Sequence, residues 1–90
     1  MRIDRFLKMT HIVKRRSTAR EMISLGAVRV GEMAVRPSRL LKPGDTVEIA
    51  FPRKILTIKV VSVEEAVVRR RTEAFELVGE RNVTGDERPW

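Results

Sequence analysis

The amino-acid sequence predicts an α+β domain in which a compact αα pair precedes a small, mostly antiparallel β-sheet. Two observations indicate this class. Apolar residues recur at helical spacing up to Gly26 and alternate with a period of two after it. The 90 residues leave room for only one core, because a second domain would have too little apolar material. We expect one folded domain over residues 1–78, with its core in 1–63, and a flexible tail over 79–90.

Three apolar residues near the N-terminus predict the first helix. Ile3, Phe6 and Leu7 fall at positions i, i+3 and i+4, so they share one helical face. A short connection over residues 9–14 leads to the next helical pattern. Such a short connection implies that the two helices pack against each other.

A second helix is predicted over residues 16–25. The residues that repeat the helical spacing there are Ala19, Met22 and Ile23. Thr18 and Glu21 are spaced as a capping box, and Ser17 and Thr18 are expected to cap the helix start. Gly26 suits the left-handed conformation that ends many helices.

Alternating apolar residues after Gly26 predict two hairpins. The first covers residues 28–35 and turns at Gly31-Glu32. Residues 42–45, Lys-Pro-Gly-Asp, predict a type II turn, because proline fixes φ at its second position and glycine accepts positive φ at its third. The second hairpin pairs residues 46–51 with the β-branched run 55–63. A last short strand is expected at Phe75 and Leu77.

The charges point to a polyanionic partner. The formal net charge is +7, and fourteen of the nineteen cations are arginines, whose planar guanidinium group matches phosphate oxygens. Residues 1–30 carry eight cations and two acids, a net of +6, whereas residues 61–90 have a net of −2. The interaction surface is therefore predicted in the N-terminal third.

Those eight cations are the candidate RNA-binding residues. Arg16 and Arg20 share a face of the second helix, and Lys14 and Arg15 stand at its start, where free N–H groups favour phosphate. A rigid cationic array without aromatic platforms suits helical or junction RNA, so we expect contact with the backbone and no readout of bases. The complete set is Arg2, Arg5, Lys8, Lys14, Arg15, Arg16, Arg20 and Arg29.

Other polar residues give weaker signals. We expect Asp4 to position a neighbouring arginine by an ion pair, and His11 to be a loop or packing residue. Four glutamates surround Arg69–Arg71 and reduce the local field, so a second basic patch there stays open. With no cysteine and one histidine, we expect no catalytic residue, metal or cofactor. No apolar run approaches a membrane span, and a cytoplasmic protein is expected.

Four segments in this order resemble the small RNA-binding domain named after ribosomal small-subunit protein four, with its αL-type motif. They are Arg2–Lys8, Lys14–Ile23, Gly26–Gly31 and Leu41–Asp45. A stand-alone chain that opens in this way is similar to the group of heat-shock-protein-fifteen and ribosome-quality-control protein P. The resemblance implies a non-catalytic factor that binds large-subunit rRNA and tRNA on stalled ribosomes. We expect a monomer when it is free.

Two other classes of function are also compatible with short basic helices or with RNA. A helix-turn-helix DNA-binding protein also pairs short basic helices, but residues 16–25 lack the Asn and Gln that read adenine edges, and the β-rich half is large for that class. A fragment of an RNA-modifying enzyme is disfavoured by the chain's size and by the lack of a catalytic carboxylate in a recognisable pocket. The DNA-binding protein is therefore the alternative.

Overall fold

The computed structural model describes residues 1–83, and it confirms the α+β class. Five antiparallel strands form one sheet in the order β2-β1-β3-β4-β5. The elements are α1 (Ile3–Met9), α2 (Arg16–Ser24), β1 (Val28–Val30), β2 (Met33–Ala34), β3 (Thr46–Ala50), β4 (Lys54–Val60), α3 (Glu65–Val68), a 3-10 helix (Arg71–Ala74) and β5 (Phe75–Asn82).

The main core lies between the helix pair and the sheet. The apolar face predicted for α1 is confirmed, because Ile3, Phe6 and Leu7 are completely buried. They pack in one cluster with Ala19 and Ile23 of α2 and with alternate residues of β1, β3 and β4. Burial of a large aliphatic or aromatic side chain contributes about 1.5–3 kcal/mol, so this contact fixes how α1 lies against α2.

The two ends of α2 differ in how well the sequence predicts them. Gly26 ends the helix at φ +81°, with N–H bonds from Gly26 to the Ile23 carbonyl (3.0 Å) and from Ala27 to the Met22 carbonyl (2.8 Å), as predicted. The prediction of a capping box at Thr18 and Glu21 is wrong. The residue before the helix is Arg15, which makes no side-chain cap, and Thr18 already lies within the first turn.

The predicted turns are confirmed. Gly44 has φ +94°, and the Asp45 N–H donates to the Lys42 carbonyl over 3.1 Å. Gly31 and Glu32 have φ of 55° and 69°, the left-handed pair that a tight hairpin turn requires. The Gly31-Glu32 turn sets the register of β1 and β2. The turn at Gly44 instead contacts the end of β4, because the Gly44 N–H donates to the Val60 carbonyl over 2.8 Å.

The C-terminal part departs from the sequence prediction. β4 ends at Val60, and α3 and the 3-10 helix that follow were not predicted. β5 is longer than the short strand expected at Phe75 and Leu77, because it pairs with β4 along 75–82 across a bulge at Thr57/Ile58. The tail predicted from residue 79 is therefore wrong for Gly79–Asn82, which belong to the sheet. Residues 84–90 of that predicted tail lie outside the described residues.

Candidate nucleic-acid interface

A buried carboxylate gathers three arginines where α1 packs against α2. The Asp4 side chain is fully buried and accepts hydrogen bonds from Arg2 Nη2 (3.2 Å), Arg20 Nε (3.1 Å) and Arg16 Nη2 (3.3 Å). The backbone N–H of Arg5 donates to the same carboxylate over 2.8 Å. We call Asp4, Arg2, Arg16 and Arg20 the Asp4 cluster.

Local structure explains how these residues meet. Asp4 lies in the first turn of α1, where the helix dipole favours a negative charge. The N–H groups of Ile3 and Asp4 donate to the carbonyls of Arg39 and Pro37, over 2.8 and 3.4 Å, so the loop before β3 holds the start of α1. One turn separates Arg16 from Arg20 on α2, which aims both guanidinium groups at the carboxylate.

The electrostatics keep the Asp4 cluster charged. Burial raises the pKa of Asp4, but hydrogen bonds from Arg20 and Arg16, the charge of Arg16 and the Arg5 N–H together lower it below its ordinary value of 3.8. One carboxylate therefore faces three guanidinium groups at neutral pH. The side chains of Arg2, Arg16 and Arg20 are 41%, 39% and 53% exposed, so each keeps donors available to a ligand.

The other predicted cations divide into two kinds. The guanidinium group of Arg5 pairs with Glu65 of α3 over 2.5 Å, whereas only the backbone N–H of Arg5 bonds Asp4. Arg29 donates to the Glu32 carbonyl beside the β1–β2 turn. The hydrogen bond from Arg5 and its charge also lower the pKa of Glu65. Three further cations are exposed and make no ion pair within residues 1–83, namely Lys8, Lys14 and Arg15.

Sequence reasoning found the ion pair of Asp4 but missed its central position. The signal was present, since Asp4 and Leu7 are three residues apart and an i, i+3 pair shares a helical edge. A carboxylate at the border of a buried face needs donors from the neighbouring helix. Which arginines supply them depends on how the two helices pack, and that contact is not local in sequence.

Two arginines beside α3 pair with nearby glutamates. Arg69 and Arg70 bind Glu65 and Glu73 over 3.1 and 3.2 Å. Among residues 1–83, no three His, Cys, Asp or Glu side chains lie close enough to hold a metal ion. The same residues include no helix long and apolar enough to cross a membrane.

An antiparallel sheet behind a helix pair whose cations surround a buried carboxylate defines a small α+β nucleic-acid-binding module. Comparison with known proteins identifies the class further. The family model for the S4 domain matches residues 1–47. The RQC P-site tRNA stabilizing factor of Streptococcus pneumoniae is 33% identical over 84 residues, which cover 92% of this chain and 96% of that protein.

Other relatives agree with these matches. The proteins of the same name from Listeria monocytogenes and Helicobacter pylori are 35% and 34% identical, over 89% and 83% of this chain and 88% and 92% of their own. A trimeric structure of Vibrio cholerae heat shock protein 15 shares the fold, with a TM-score of 0.78 and 20% identity over 87% of this chain and 81% of that one.

The chain belongs to the S4 domain family, and within it to the family of RQC P-site tRNA stabilizing factors. This confirms the resemblance seen in the sequence. It also confirms the expected function at the level of an RNA-binding protein of ribosome quality control. The helix-turn-helix alternative is not favoured.

Proposed function

We propose that this protein is a non-catalytic factor that binds rRNA of the large ribosomal subunit together with peptidyl-tRNA during the rescue of stalled ribosomes. The Asp4 cluster is the observation that carries the proposal. It holds three guanidinium groups at fixed positions, which suits the regular phosphates of folded RNA. The name of the relatives, which refers to P-site tRNA, supports tRNA as a ligand.

The exposed cations extend this surface along both helices. Lys8 lies on α1, and Lys14 and Arg15 precede α2, so a phosphate backbone on the Asp4 cluster meets further positive charge. Arg5 and Arg29 complete the proposed set of eight RNA-binding cations. Their guanidinium groups already donate to Glu65 and to the Glu32 carbonyl, so they would contact RNA through their remaining N–H groups. We propose a cytoplasmic location, because the factor acts on ribosomes.

We also propose that the free chain is a monomer. The structural relative from Vibrio cholerae is described as trimeric, so the two chains would differ in this respect. Sedimentation of the free protein at the concentrations used for RNA binding gives its mass directly.

Replacing Arg16 with glutamate tests the RNA-binding surface. A carboxylate here repels phosphate and removes a charge-assisted hydrogen bond, so binding should weaken by roughly ten- to a hundredfold. The measurement is co-sedimentation with large ribosomal subunits that carry peptidyl-tRNA. An excess of duplex DNA should compete poorly.

Arg70→Glu is the matched control, because it makes the same charge change beside α3. We expect this variant to bind as the wild type does. Arg15→Glu supplies a second test that leaves the Asp4 cluster intact, and circular dichroism reports on the fold of all three variants. Wild-type binding by both Arg16→Glu and Arg15→Glu, with normal spectra, would contradict the proposal.

A further inference from the structure

A broad groove runs along α2, from the residues that precede this helix to its C-terminal end, and the β3–β4 turn forms part of its lining. Its volume is about 1150 Å³, and apolar side chains line it: Met22, Leu25, Phe51 and Val83. Leu25 is 77% exposed, the largest exposed fraction among the large apolar side chains of residues 1–83. The groove is large enough for one nucleotide, since sites for drug-sized ligands measure roughly 300–1,000 Å³.

The groove is continuous with the proposed RNA-binding surface. Lys14 and Arg15 form part of its wall, and both are exposed cations without an ion pair among residues 1–83. A phosphate backbone held by these two residues brings the adjacent nucleotide over the apolar floor. The positive wall therefore favours a nucleotide over the apolar side chain of another protein.

Polar groups in the groove suit the edge of a base. Thr18 and Glu21 of α2 line it with a hydroxyl and a carboxylate, which can accept hydrogen bonds from amino or imino groups. The Phe51 ring offers an aromatic surface, and Lys54 Nζ lies 5.6 Å from its centroid. Unpaired bases commonly combine such stacking with hydrogen bonds at their edges.

We propose that this groove receives one unpaired nucleotide of the RNA whose backbone the Asp4 cluster binds. The inference rests on the proposed function and extends it, because contact with a base adds to the backbone contact expected from the sequence. The base packs against Leu25, Met22 and Phe51. The protein should therefore prefer RNA with a bulge or loop over a fully paired duplex.

Two RNA probes test this preference. One is a blunt RNA duplex, and the other is the same duplex with a single bulged adenosine. Stacking on an aromatic side chain adds to the affinity for an unpaired base, so the wild type should bind the bulged probe about tenfold more tightly. Fluorescence anisotropy of end-labelled probes at low salt measures both affinities.

Leu25→Asp should abolish the preference, because it places a carboxylate in the groove. Leu77→Asp is the matched control, since it makes the same change at a leucine that is 58% exposed in β5. Only Leu77→Asp should keep the preference. The ratio of the two affinities is compared within each variant, because a carboxylate at Leu25 beside Lys14 and Arg15 also lowers the affinity for the blunt duplex. Phe51→Leu, which leaves the charge unchanged, should reduce it.

The outcomes separate the two proposals. Equal binding of both probes by the wild type, or a preference that survives Leu25→Asp, would contradict the proposal that a nucleotide occupies the groove. The proposed backbone contact at the Asp4 cluster would not be affected. The same result is expected if a protein side chain occupies the groove. If the wild type binds neither probe, or binds both without sensitivity to Arg16→Glu, the proposed function itself fails.

Discussion

The N-terminal helix pair and the α3–β5 region both contain arginines, but they arrange them differently. In the Asp4 cluster, three guanidinium groups share one buried carboxylate. In the C-terminal region, Arg69 and Arg70 each pair with an exposed glutamate four or three residues away, Glu65 and Glu73. The first arrangement positions cations while leaving an excess of positive charge, whereas the second sets exposed glutamates beside the arginines and offsets their charge.

Burial explains why the shared carboxylate positions its partners. Removing a charge from water is costly unless hydrogen bonds replace the lost hydration, so Asp4 requires its arginine donors. Exposed pairs lack this constraint because water screens them and both side chains remain free to move. The arrangement of the cations, more than their number, therefore distinguishes the proposed interface.

Among the variants that test this difference between the two regions, Asp4→Asn should have the largest effect on RNA affinity and stability. The amide has one acceptor oxygen and a donor group that faces guanidinium donors, so the arginines should separate. We expect RNA affinity to fall by about tenfold and stability by about 1–2 kcal/mol, a modest loss because the freed guanidinium groups reach water. Anisotropy with the duplex probe and urea denaturation measure these changes.

Asp4→Asn also raises the net charge by one, so the loss of arginine positioning and the gain of positive charge have opposite effects on RNA affinity. If net charge alone governed binding, affinity would rise. Glu32→Gln makes the same charge change in the exposed β1–β2 turn and serves as the control. A rise in affinity in both variants would show that positioning by Asp4 contributes little.

A smaller effect on RNA affinity should follow when two cations are removed from the N-terminal region, and the same removal in the C-terminal region is the control. Lys14→Ala with Arg15→Ala removes the exposed pair before α2, and Arg69→Ala with Arg70→Ala removes the same charge beside α3. Each phosphate contact contributes roughly 0.7–0.9 to the slope of log affinity against log salt. The first double variant should reduce the slope by about 1.5, and the second should leave it unchanged. Equal reductions would contradict a localised interface.

Local signals predicted much of the fold. The buried face of α1 and the turn at Gly44 follow from apolar spacing and from the φ that glycine accepts. The start of α2 did not follow, because Arg15 precedes the helix without a side-chain cap and Thr18 falls inside it. Gly79–Asn82 form a strand through pairing with β4, a contact distant in sequence that outweighs their polar composition.

The candidate site was less predictable than the fold. Charge counting placed the surface in residues 1–30, and the structure shows that Arg2, Arg16 and Arg20 meet there. Charge counting did not distinguish these three arginines from Arg5, whose partner Glu65 is sixty positions away in the sequence. The apolar groove was missed because α2, the β3–β4 turn and the residue after β5 all line it.

The smallest predicted effect concerns acid stability. The pKa of Asp4 and that of Glu65 are both lowered from ordinary values of 3.8 and 4.5. Unfolding raises each pKa back, so the unfolded chain binds more protons in this range. Each carboxylate therefore stabilises the fold at higher pH. This contribution is lost as the pH falls below the ordinary pKa of the group and through its lowered pKa in the folded chain.

The two carboxylates should differ in the size of this effect. Urea midpoints measured from neutral pH down to about pH 3 should fall less steeply in Asp4→Asn than in the wild type, since that variant has already lost the contribution. Glu65→Gln should change the profile less, because water screens its pairs with Arg5 and Arg69. Added salt should reduce the pH-dependent contribution of Glu65 to stability more than that of Asp4. Indistinguishable profiles for the two variants would mean that burial does not set Asp4 apart.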